Sequence, residues 1–160
     1  MKIQIRKGLF ETNSSSVHTL VIGNNGQNIY KDLPKEIKFE LEFVDYYSPE
    51  TVQKKANFLY RQIIIFSDNT AEDLNKIKSY LQEFDINCVF TNPLEYSFFR
   101  DIIDERYNVP DFVNDILEDS VTFMNYLFSE DSYIGLYDNN YWEEYIKYPK
   151  NLIKFNIEDE

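Results

Sequence analysis

The chain has 160 residues, 43% hydrophobic and 17% aromatic, with only four Gly and five Pro, which is enough apolar material for one packed core and too much for a disordered chain. Its formal net charge of −12 opposes binding to nucleic acid or to an anionic membrane. The lone cysteine, Cys88, excludes an internal disulfide and fits a reducing compartment.

In chain order, Lys2–Arg6 alternates with the period of a half-buried strand, and Val17–Ile22 reads as a second strand ended by the turn-forming Gly23-Asn24-Asn25-Gly26. Ile37, Phe39, Leu41 and Phe43 alternate strictly with polar residues and predict a third strand, so the three together suggest an antiparallel sheet with one face covered. Ser48-Pro49-Glu50 has the order of a helix start, and Val52, Ala56, Leu59, Ile63 and Phe66 follow at helical spacing. Thr70 and Asp73 form a capping signal for a second helix, whose stripe is Leu74, Ile77, Leu81 and Phe84. Ile86–Thr91 reads as a short buried strand.

Pro110 opens what reads as one longer helix, with Val113, Leu117, Val121, Met124 and Phe128 on its apolar face. Asp111, Asp115, Glu118 and Asp119 fall on the opposite face. Tyr133–Tyr137 and Leu152–Ile157 are the last predicted strands, with a short helix over Tyr141–Lys147 between them. The expected fold is α+β: a single domain over 1–160, mainly an antiparallel sheet with helices packed on one face.

The charge is concentrated. Residues 101–146 hold twelve acids and one base, Arg106, a net −11 that leaves the rest of the chain close to neutral. Tyr126, Phe128, Tyr133, Tyr137, Tyr141, Trp142, Tyr145 and Tyr148 are interleaved with these acids. Tyr and Trp anchor protein interfaces because each joins a large apolar area to a polar tip. Asp111, Asp115, Glu118, Asp119, Tyr141, Trp142, Glu143 and Glu144 are therefore the candidate partner-binding residues, and a basic protein is the expected partner.

The stretch most loaded with chemistry is Phe10–His18. It places Glu11, Thr12, Asn13, Ser14, Ser15, Ser16 and the only histidine, His18, between two predicted strands. Ser and Asn favour such connections because they bond their own backbone. Hydroxyl and amide groups beside backbone N–H groups also form anion-binding concavities, and a histidine near a serine is a candidate general base. Glu11, Asn13, Ser14, Ser15, Ser16 and His18 are accordingly the candidate ligand-binding set. Ser16 and His18 share one face of the strand. No catalytic set is complete, and neither a metal nor a cofactor is expected: zinc-ligand spacing, the EF-hand pattern and glycine-rich phosphate loops are all lacking.

Arg6-Lys7-Gly8-Leu9-Phe10-Glu11-Thr12-Asn13-Ser14-Ser15-Ser16-Val17-His18 resembles the opening, R-x-G-V-F-E-T-N-S-S-S-x-H, of an uncharacterised family of bacteriophage and mobile-element proteins. Lys55–Tyr60 is similar to a K-A-N-Y-L-Y element of that family, and Ser132–Asn139 to a later segment. Where the family has G-Y-I-D-H-Q-S, this chain offers at best Arg100–Arg106, with Glu105 in place of His and no Gly. The resemblance implies phage or mobile-element origin and carries no settled activity.

Taken with the charge, it leads to the expectation of a cytoplasmic interaction protein, without membrane or direct nucleic-acid contact, that inhibits a nucleic-acid enzyme of the host. An anti-CRISPR protein bound to an effector nuclease is the concrete case, since such nucleases hold basic channels. The alternatives are a small enzyme or nucleotide- or phosphate-binding protein using residues 11–18, and a phage accessory or structural protein.

Overall fold

A computed structural model describes residues 4–7, 16–23, 29–41, 51–91 and 110–138, with backbone placement alone for 4–7, 16–19, 110 and 136–138. The elements in chain order are β1 (Gln4–Lys7), β2 (Ser16–Ile22), β3 (Glu36–Phe39), α1 (Val52–Phe66), α2 (Thr70–Gln82), β4 (Asn87–Phe90), α3 (Pro110–Ile116), α4 (Ser120–Phe128) and β5 (Tyr133–Asp138). The fold is α+β, as the alternation of short strand patterns with helical stripes suggests.

The strands form two sheets. β1, β2 and β5 make an antiparallel sheet with β2 in the middle. Its register pairs Arg6 with Leu20, Leu20 with Ile134, His18 with Leu136 and Ser16 with Asp138. β3 does not join them. It pairs in parallel with β4, Ile37 beside Cys88 and Phe39 beside Phe90. The single three-stranded sheet expected for β1, β2 and β3 is thus corrected, and the reason is connectivity. A parallel partner needs a long crossover, which α1 and α2 provide, and hydrophobic alternation marks a strand without naming its neighbour.

The outer edge of β3 is closed by α1. Gln53 Nε2 donates to the Lys38 carbonyl at 2.6 Å, and the Glu40 N–H donates to Asn57 Oδ1 at 3.0 Å. Side-chain amides here take the place of a further strand, which keeps this edge from templating another chain.

α1 is the central helix, packed by β3, α2, α3 and α4. The sequence predicts one buried stripe on it. Instead Lys55, Ala56, Asn57, Phe58, Leu59, Tyr60, Gln62 and Ile63 are all buried, because neighbours cover the helix on several sides. Its N-cap is Thr51, whose hydroxyl accepts from the Lys54 N–H at 3.2 Å, so the helix starts later than the Ser48-Pro49-Glu50 signal; those three residues lie outside the described ones. α2 buries Ile77 and Leu81 as its stripe predicts. Its entry is held by Ser67 rather than by Thr70: the Ser67 hydroxyl donates to the Asp73 carboxylate and accepts from the Asn69 N–H.

The long helix expected from Pro110 is two helices. Leu117, Glu118 and Asp119 interrupt it, and Asp119, in extended backbone, caps α4 by accepting from the Thr122 N–H at 2.7 Å. An Asp-Ser pair bonds the following N–H groups more readily than it continues a helix. The break resets the helical phase: Val121 is 53% exposed, while Phe123, Met124, Tyr126 and Leu127 are buried. One hydrophobic cluster joins both layers, with Leu20 and Ile134 from the antiparallel sheet, Ile37 and Phe39 from the parallel pair, and Leu59, Ile63, Ile77, Ile116 and Phe123 from the helices. Burying a side chain of this size is worth about 1.5–3 kcal/mol. The predicted Tyr141–Lys147 helix and Leu152–Ile157 strand lie outside the described residues.

Candidate functional site

Three sets of residues bear on function. The first is the acidic surface. Residues 110–138 contain seven acids and no Lys, Arg or His. Asp111 is exposed on α3, Glu118 and Asp119 are exposed at the α3–α4 corner, and Glu130 and Asp131 are exposed beyond the other end of α4. The four-acid helical row of the sequence reading does not survive as such. Asp115 is only half-exposed and holds an interaction of its own, and the Asp119 carboxylate is committed to its cap. Asp111 and Glu118 remain as outward-facing charges, with Val121 exposed close by in sequence. Tyr126 and Tyr133, read as interface aromatics, are core residues at 0% and 7% exposure. Tyr141, Trp142, Glu143 and Glu144 lie outside the described residues.

The second set is a buried polar knot that sequence reasoning missed. Lys55 is 2% exposed, and its Nζ donates to the Ser129 carbonyl at 2.9 Å. Ser129 is the C-cap of α4, so the ammonium sits at the negative end of that helix. The Lys55 carbonyl in turn accepts from the Tyr126 hydroxyl at 2.8 Å. One turn away, the Ser132 hydroxyl donates to the Asn125 carbonyl at 2.6 Å and accepts from the Gly23 N–H at 2.9 Å.

Gly23 belongs there for want of a side chain: a Cβ would come 2.5 Å from Ser129 Oγ and 2.6 Å from Asp131 Cβ. Burial pushes the Lys55 amine down to about 8, with the negative charge of Glu130 opposing that fall. Burial also drives the Tyr126 hydroxyl well up, so it stays a proton donor. The signal was present in the helical spacing, since Lys55 stands four residues before Leu59 and three after Val52, on the stripe itself. A lysine on an apolar stripe ordinarily reads as a stem that snorkels to water.

The knot draws together the end of β2, the first turn of α1 and the turn after α4, although these are far apart in sequence. It is closed to solvent and works as a structural clasp. Cys88, half-buried on β4, has its thiol pushed up to about 12 by burial, so it holds its proton near neutral pH.

The third set is what the described residues retain of the Ser-rich segment. Glu11, Asn13, Ser14 and Ser15 lie outside them. Ser16 and His18 are in β2, at register positions opposite Asp138 and Leu136 of β5. Among the described residues no helix is long and apolar enough to cross a membrane. In comparisons with known proteins, no family model, curated sequence or solved structure matches this chain.

Proposed function

We propose that this protein acts by binding a basic surface on a larger protein, and that the partner is a nucleic-acid enzyme of the host, with a CRISPR effector nuclease as the concrete case. The observation that carries this reading is the base-free stretch 110–138, whose exposed acids are Asp111 on α3 and Glu118, Glu130 and Asp131 in the turns at either end of α4. A concentration of charge of one sign steers a complementary partner and speeds encounter. It also opposes DNA and RNA phosphates, so inhibition would come from occupying the enzyme rather than from sequestering its substrate. The resemblance of the N-terminal segment to phage and mobile-element proteins is consistent with such a role, because those elements gain from disabling host nucleases.

The test is a DNA-cleavage assay on a panel of effector nucleases with increasing amounts of the protein, in low and in physiological salt. Inhibition is expected for at least one effector. Asp111→Lys with Glu118→Lys should weaken it about tenfold at low salt, with the fold intact, because two rim charges change sign. No inhibition across the panel, or a folded charge-reversed variant of equal potency, would rule the reading out.

A further inference from the structure

We draw no further inference here: the strongest candidate, the buried Asn57 side-chain amide beside the outer edge of β3, whose Nδ2 has no hydrogen-bond partner among the described residues, carries nothing, because its Oδ1 belongs to the edge closure already described and nothing in the structure shows what would cover the nitrogen.

Discussion

The Lys55 ammonium donates to the Ser129 carbonyl at 2.9 Å, joining the first turn of the central helix to the last turn of a helix that begins 65 residues later. Both partners are buried, so the bond is shielded from water and from salt. Its cationic partner nonetheless has its amine lowered from 10.5 to about 8 by desolvation.

That depression gives a pH dependence with a definite sign. Between pH 8 and 10.5 the folded chain has released the Lys55 proton while the unfolded chain still holds it, so stability rises with pH across this window. The shift bounds the gain at about 3 kcal/mol. Tyr60, Tyr126 and Cys88 act in the opposite sense, since their raised values keep protons on the folded chain that the unfolded chain sheds. The difference in urea stability between the wild type and Lys55→Met, measured from pH 7 to 10.5, removes those shared terms and should grow with pH. A flat difference would show that Lys55 is hydrated in solution.

Gly23→Ala should destabilise the protein by about 1–3 kcal/mol, the usual range for overpacking. The added Cβ meets Ser129 Oγ and Asp131 Cβ at 2.5 and 2.6 Å, and trimming Ser129 to Ala relieves only the first clash. Thermal unfolding of the single and double variants should therefore show partial recovery at most. Wild-type stability in Gly23→Ala would mean that the 129–132 turn moves aside freely.

Asp119→Ala should cost about 1 kcal/mol through loss of the cap on α4, whereas Glu118→Ala should change stability by less than about 0.5 kcal/mol. The two are adjacent and equally charged, so the contrast separates capping from surface charge. Chemical denaturation of both variants measures it, and equal effects would contradict the bond from the Thr122 N–H.

Asn57→Leu should cost about 1–3 kcal/mol, because the Glu40 N–H loses its acceptor at the β3 edge. Hydrogen exchange at Glu40 should quicken in step, while exchange at Phe123 within α4 should change only through global stability. Unchanged exchange at Glu40 would indicate that water already serves that edge.

Much of this architecture was legible from local pattern. Alternation located β1 and β3, apolar runs beside turn residues pointed to β2, and the 3.6-residue stripe located α1 and α2, because burial leaves a period in the chain. Pairing was not legible: β3 alternates as cleanly as β1, yet it pairs in parallel with β4, and that choice depends on how α1 and α2 fill the crossover. The apolar spacing from Val113 to Phe128 concealed the helix break because both helices bury residues in the same core, and only the Asp119-Ser120 pair recorded it. The clasp around Lys55 was hidden for a different reason. Its acceptor is a backbone carbonyl, which every residue possesses, so no residue type announces it.

The antiparallel sheet also bears on the order in which the molecule can be made. Among the described elements β3, α1, α2 and β4 are consecutive, so their shared packing is available as soon as residue 90 has been synthesised. β2 is different: Leu20 and Ile22 lie early in the chain, yet Ile134 on the neighbouring strand, and Ser132, which holds Gly23 from 109 positions away, come close to the end of the described residues. A chain growing on the ribosome keeps an unmatched strand edge on β2 through most of its synthesis, which is where a chaperone would find it and where truncated products would aggregate.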